Sequence, residues 1–585
     1  MSFFNQLSPG VIVNEVDLTT IVPGVSTSRG AFVGQFNWGP VLEPRLINDE
    51  TGLLNTFQKP TDSSQNSFVG TSYFSCANFL SYSNSLFVVR VVGANAYNAC
   101  ANANASILVG NELAFEQSYL YANTANAYGA FIARFPGDLG NSLSISVCSN
   151  ASNFSGWTYD EFFDNAPGTS EFAANKNAAN DEMHIVVVDT LGRFSGIAGT
   201  VIEKFAFLSK ASDAVGVDGQ SSYYKNVLFN NSQYVYAVDP VDFANTNSTW
   251  GTPAYSTTTY ASATNQTVVL ASGANGDSLS ANNIIGGWDL FRNRDTYDIS
   301  FCITGSSSDI SLTIPRYIID NIIDGTTAST PIQGRRDSIV FISPRYQDVV
   351  NQAGQEATNI TSNFLATLDK SSSYAVVDSG WKYQYDKYNN IYRWIPLNAD
   401  IAGTCAATDL AQDPWWSPAG FTRGKIKNIA KLAWNPNQSE RDWIYPRGVN
   451  PVTSFQGEGV VLFGDKTLQA KPSAFDRINV RRLFIVLEKA ISKAAQYSLF
   501  EFNDEFTRAQ FVAMVEPYLR TIQGRRGIYD YKVVCDETNN TPDIIDRNGF
   551  VGDIYIKPAR SINFIQLNFI AVRTGVEFST VIGQF

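Results

Sequence analysis

Histidine is almost absent from this chain of 585 residues, with His184 the one example. A Ser-His-Asp or Cys-His catalytic arrangement would have to use it, and it lies inside MHIVVVD at 183–189, an apolar run that reads as a buried strand. Cysteine is sparse as well. Cys76, Cys100, Cys148, Cys302, Cys405 and Cys535 have no metal-ligand spacing and are too few for a disulfide scaffold, so free buried thiols are expected. Charge is low at 16%. No window holds 18 apolar residues, so no membrane-spanning helix is expected. The start, MSFFNQLSPGVIV, lacks a basic stretch followed by an apolar one, so no signal peptide is expected. A Walker A sequence is also lacking. Its nearest approach, Gly459 to Thr467, puts Asp465 where a phosphate would sit, and its apolar residues suit a strand and turn.

What is abundant is apolar and aromatic. Hydrophobic residues make up 44%, with 39 Phe and 27 Tyr. A core is assured, and part of the aromatic area is expected to be covered by other copies of the chain. Length alone predicts two to four domains. The net charge of −12 is uneven. Residues 411–585 carry 22 Lys+Arg against 18 Asp+Glu, whereas residues 1–410 carry 20 against 36. An acidic majority argues against direct nucleic-acid binding, and opposite signs on different regions suit stacked self-association.

Along the chain, residues 1–25 read as an arm whose strand pattern runs from Pro9 through Val11, Val13 and Val16 to Leu18. Residues 26–95 form a first compact block, with strands at 30–36 and 86–92 and helices at 48–57 and 73–82. From 96 to 182 the segments are β-like and suggest an inserted outer β-rich domain. Residues 183–395 read as one or more inserted middle α/β domains, because strands and helices alternate across 298–378 in the manner of a parallel sheet. The Asn/Ser/Thr-rich run 241–285 reads as a flexible surface excursion. Residues 396–560 are again α/β, with helices near 480–500 and 504–518. The last segment, 561–585, contains strand candidates at Ile562–Val572 and Glu577–Ile582, the first alternating Ile562, Phe564, Ile565, Leu567, Phe569 and Val572 with polar residues. The fold class is thus multidomain α/β.

The remaining charged groups give little chemistry. Asp504/Glu505 and Asp543/Asp546 lack signs of a buried acid pair, and the first two sit at a helix start, where carboxylates favour the dipole. The Arg335-Arg336, Arg481-Arg482 and Arg525-Arg526 pairs suit carboxylates, within the chain or across an interface. Neither a cofactor nor a metal is implied.

Several segments are collinear with a known pattern. They are LSPGV at 7–11, GQFNWGP at 34–40, FVVRV at 87–91, ARFPGDLGN at 133–141, PWWSPAGFTRG at 414–424, RDWIYPRGVNPV at 441–452, FDRINVRR at 475–482 and IKPARSINFI at 556–565. In this order they resemble the contractile tail sheath proteins of T4-like myoviruses, the phage tail sheath family. The resemblance is strongest in 1–95 and 395–585. It implies a non-enzymatic subunit of stacked hexameric rings around a tail tube, contracting on a baseplate signal to drive the tube through the host envelope. It further implies a core built from both chain ends with outer domains inserted between them, partners in the tube, baseplate and tail terminator, and assembly in the host cytoplasm without membrane insertion. The terminal segments would add strands to neighbouring subunits, Pro9 to Leu18 at one end and Ile562 to Val572 at the other. Arg481, Arg482, Asp504, Glu505, Arg525 and Arg526 become candidate interface or tube contacts. Two alternatives stay open: a sheath of a non-phage contractile injection system, and a β-rich virion surface or adhesion protein.

Overall fold

The computed structural model describes residues 26–62, 64–122, 127–239, 249–255, 258–325, 334–563 and 566. The strand candidates at 9–18, at 577–582 and at Phe564, Ile565, Leu567, Phe569 and Val572 lie outside the described residues.

The chain enters the core through β1 (Gly30–Gly34), whose five residues are all buried. β2 (Arg45–Ile47) follows, then α1 (Glu50–Phe57), α2 (Phe68–Leu80) and β3 (Leu86–Arg90). Both helices start on side-chain caps, Asp49 accepting the Gly52 N–H at 2.6 Å and Ser67 accepting the Gly70 N–H at 2.9 Å. After β3 the chain leaves the core through a narrow neck, where Ala96–Tyr97 pairs antiparallel with Ala274–Asn275. Gly93 permits the crossing: a Cβ there would lie 2.0 Å from the Asp277 carbonyl oxygen.

Between the two sides of the neck lies an antiparallel insert. Its sheet holds β4 (Leu143–Cys148), β5 (Glu182–Asp189), β6 (Thr200–Ser209) and β7 (Gln266–Val269) in the order β7–β4–β5–β6. Its core gathers Phe135, Leu139, Ile145, Val187, Leu228 and Trp250 around Trp38, which comes from the first block.

The chain then returns through a helix at Ala281–Asp289 and supplies β8 (Phe301–Ile303), β9 (Ile339–Ile342), β10 (Ala375–Asp378), α3 (Asn398–Ala411) and β11 (Val449–Asn450). These strands join the first three in one seven-stranded sheet, ordered β11–β10–β9–β8–β1–β3–β2 and parallel except for β2 against β3. Parallel strands are covered on both faces, which is why they read as unbroken apolar runs. One face packs on Trp288, Ile314, Ile318, Ile322 and Phe364, the other on Leu53, Phe57, Phe79, Ile401 and Cys405. All six cysteines are free and buried.

The last part places α4 (Ile478–Ala495) and α5 (Glu505–Gly524) against a hairpin of β12 (Ile528–Val534) and β13 (Asp553–Pro558). They share an apolar cluster of Leu483, Leu487, Ile491, Phe511, Val515 and Leu519, with Tyr531, Val533, Ile554 and Ile556 half-buried against it.

Two expectations are corrected. Residues 183–395 are not a separate inserted unit: β5 belongs with β4 of the 96–182 block, and β8, β9 and β10 belong to the core sheet beside β1. The insert therefore closes at Ala274–Asn275. Periodicity reveals that Phe301–Ile303 is a strand but carries nothing about its partner, Gly30–Phe32, which lies far away in sequence. The described part of the 241–285 run, which begins at residue 249, is not an excursion either. In it Trp250, Tyr260 and Leu270 are buried, and β7 pairs with β4. Two of its threonines hold the backbone, Thr249 Oγ1 accepting the Ala261 N–H at 2.9 Å and Thr252 Oγ1 donating to the Thr249 carbonyl at 2.6 Å.

Candidate assembly site

The six candidate contact residues divide into two groups. Arg481 and Arg482 are buried by the chain itself and offer nothing to a neighbour, contrary to the expectation. Arg482 Nη2 lies 2.5 Å from each carboxylate oxygen of Asp409, and its guanidinium stands over the Phe301 ring at 5.1 Å. Arg481 is stacked between Phe475 and Tyr374, at 3.9 and 4.3 Å. Both project from the first turns of α4 into the core; Asp409 satisfies the Arg482 fork, whereas Arg481 is held by its two rings and one Nη1 bond to Tyr374 Oη at 3.2 Å.

The other four are exposed and sit at the two ends of α5. Asp504 caps the helix, accepting the Thr507 N–H at 2.8 Å, and that bond holds its carboxyl below the usual range. Glu505 opens the first turn. At the other end Arg525 pairs with Asp413 at 2.6 Å and lies over Trp415, while Arg526 lies over Trp416. The helix thus presents carboxylates at its start and guanidiniums at its finish, matching the macrodipole.

α5 leads directly into the β12–β13 hairpin. Tyr531 faces Ile556 and Val533 faces Ile554 across the register, with these four turned to the helices. Tyr529 and Tyr555 are 67% and 60% exposed. Among the described residues each strand has a ladder partner on one side only, and side chains take up part of β12, Gln523 donating to the Tyr529 carbonyl at 2.9 Å and Asn539 to the Val534 carbonyl at 2.8 Å. IYDYKVV and DIYIKP each alternate, yet this hairpin lies outside the strand candidates at 562–572 and 577–582. Residues 559–563 have no regular structure, and Ile562 is 82% exposed.

The residues weighed for chemistry have structural partners. His184 lies on β5, stacked on Phe163 at 4.3 Å. Its Nε2 donates to the Asn165 carbonyl at 2.8 Å and its Nδ1 accepts the Phe207 N–H at 3.1 Å. Both nitrogens are committed in the neutral ring, and burial pushes its pKa below 6.5. A base with a depressed folded pKa binds protons more readily when unfolded. Stability is therefore retained above the ordinary imidazole value and lost as pH falls below about 6.5. A His184→Gln variant is expected to lose less stability between pH 7 and pH 5 than the parent, read from denaturant midpoints; equal losses would contradict this role. Gly459–Leu462 is a strand paired with Val452–Phe455, as read, and the Asp465 carboxylate beyond it is buried and engaged by Arg477 at 3.0 Å. Asp543 and Asp546 lie on the short helix Pro542–Asp546.

The fold is that of the sheath tail proteins. A crystal structure of the one from Listeria innocua superposes with a TM-score of 0.53 at 12% identity, covering 93% of this chain and 94% of that one. One from Desulfitobacterium hafniense gives 0.50 at 10% identity, covering 94% and 100%. Sequence carries the assignment further. Residues 325–468 match the phage tail sheath protein central domain, and residues 470–571 the phage tail sheath C-terminal domain. The tail sheath proteins of Vibrio phage KVP40 and Enterobacteria phage T4 are each 31% identical, covering 99% of this chain and 100% and 99% of theirs; that of Salmonella phage ViI is 32% identical over 98% of both chains. The chain belongs to the phage tail sheath protein family, and it is a structural subunit of a contractile tail sheath.

Proposed function

We propose that the chain polymerises as stacked hexameric rings around a tail tube and shortens on a signal from the baseplate, driving the tube through the host envelope. The observation that carries this reading is the β12–β13 hairpin, which among the described residues has no third strand on either edge and ends shortly before the C-terminal segment. A hairpin alone is a marginal sheet, and strand addition completes it with main-chain bonds that tolerate a moving partner. Pro9 to Leu18 of one neighbour and Ile562 to Val572 of another supply the added strands. The remaining interfaces can then repack between an extended and a contracted state while the subunits stay joined.

In this reading Asp504, Glu505, Arg525 and Arg526 at the ends of α5 face the tube or an adjacent subunit. The protein works without catalysis or cofactor, contacts neither nucleic acid nor the membrane, assembles in the host cytoplasm, and meets a terminator at the far end of the tail. Full-length likeness to phage proteins favours a virion tail over a non-phage injection system.

Negative-stain electron microscopy across a concentration series tests this directly. Hollow cylinders with six-fold rings are expected, at high concentration or when tube protein is added. Monomers that persist with the cognate tube present would overturn it.

A further inference from the structure

Four stretches that sequence alone keeps apart, at Ser417, Tyr445, Arg477 and Ser561, meet at one carboxylate. Asp465 is 3% exposed. Its Oδ2 accepts from Ser561 Oγ at 2.6 Å and from Ser417 Oγ at 3.0 Å, and its Oδ1 accepts from Arg477 Nη1 at 3.0 Å. The Tyr445 hydroxyl lies 3.2 Å from Oδ1, and burial and the Asp465 charge push its pKa up to about 12. Asn563 completes the cluster: with its amide oxygen turned inward, it accepts from Tyr445 Oη and Arg477 Nη1, both at 2.7 Å.

The cluster is bolted to the core. Asn450, on β11, donates to the Val377 carbonyl of β10 at 3.0 Å and to the Lys466 carbonyl at 2.8 Å, and it accepts the Lys466 N–H at 2.7 Å. The Ile478 N–H at the start of α4 donates to the Asp465 carbonyl at 2.8 Å. By contrast, the chain leaving β13 has little apolar hold. Ala559 N–H reaches the Gly527 carbonyl at 3.1 Å, but Ile562 is 82% exposed. The exit of the C-terminal segment is therefore held by polar contacts to a buried charge, which are short, directional and shielded from solvent.

We propose that Asp465 is a positioning residue for assembly: it clasps Ser561, with Asn563 alongside, and so sets the place and direction in which the C-terminal segment leaves the core sheet. The proposal rests on the reading of that segment as an interchain strand. A neighbour that holds the strand then pulls on β10, β11 and α4 rather than on the hairpin alone. The clasp also restricts the conformations the segment must give up on pairing, so it acts on the rate of ring growth.

Ser561→Ala removes one hydroxyl at a half-buried position, and Ser561→Thr restores it. Asp465→Asn tests the charge. In Ser561→Ala the monomer's thermal midpoint is expected to match the parent, amide exchange over 559–563 to quicken, and cylinder growth by light scattering to slow by about ten-fold. Ser561→Thr should recover most of the growth rate, and Asp465→Asn should slow growth at least as much as Ser561→Ala. Parental exchange and parental growth in Ser561→Ala would overturn the clasp. A chain truncated after residue 566 separates the two ideas. If it still builds normal cylinders, the strand reading fails, and the exchange of Ser561→Ala alone decides whether the clasp stands.

Discussion

Deleting residues 1–20 is expected to leave a folded monomer that builds no cylinders. Among the described residues, both faces of the core sheet, the insert and the C-terminal cluster are filled by residues from Ala31 onward. The thermal midpoint should therefore stay within a few degrees of the parent, while sedimentation shows no polymer at concentrations where the parent forms it. Each main-chain hydrogen bond of an added strand contributes roughly 0.5–1.5 kcal/mol net, so losing one strand per subunit removes several kcal/mol from every link in the lattice. Repeated around a ring, that loss amounts to abolition rather than weakening. Sheaths of normal length from the deleted chain would refute the strand-exchange reading. A deleted chain that cannot fold would instead show that the first residues belong to the core.

The second large effect is on stability. Arg90, at the end of β3, is completely buried and, among the described residues, forms no ion pair. Its guanidinium donates to the carbonyls of Phe36 at 2.9 Å, Gly39 at 2.7 Å and Pro136 at 2.6 Å. Two of these belong to the turn after β1 and the third to the insert, so one side chain ties the outer domain to the core. Burial pulls its pKa down to about 9. Arg90→Met keeps much of the volume and leaves three buried carbonyls without donors. The expected loss is roughly 3–5 kcal/mol, with amide exchange rising at 36–40 and 136–140 together. Arg90→Lys should recover only part of it, because an ammonium cannot fork to three acceptors in one plane. A loss below about 1 kcal/mol would show that water replaces the guanidinium.

Much of the local structure was legible. The helix starting at Asp49, the strands at 30–34, 86–90, 339–342 and 375–378, and the α4 and α5 helices follow from caps and periods that span a few residues. The site was less so. In FDRINVRR the arginines look like surface groups, and only the packing of α4 on Asp409, Phe301 and Tyr374 shows that they are internal. In the sequence Asp465 signals only what it prevents, a phosphate cradle; what it holds, Ser561, lies 96 residues away.

The sequence by itself determined the element types, the mixed α/β class and, through the order of its motifs, the family. These depend on side-chain periodicity, capping and turn chemistry, which act within a turn or two of chain. The tertiary structure decided that Phe301–Ile303 lies beside Gly30–Phe32, that 249–285 packs rather than wanders, that Arg481 and Arg482 are core residues, and that Asp465 meets Ser561. Parallel pairing and buried ion pairs join residues tens to hundreds of positions apart. Their selection rests on closing long loops around a common core, for which no local pattern carries a signal.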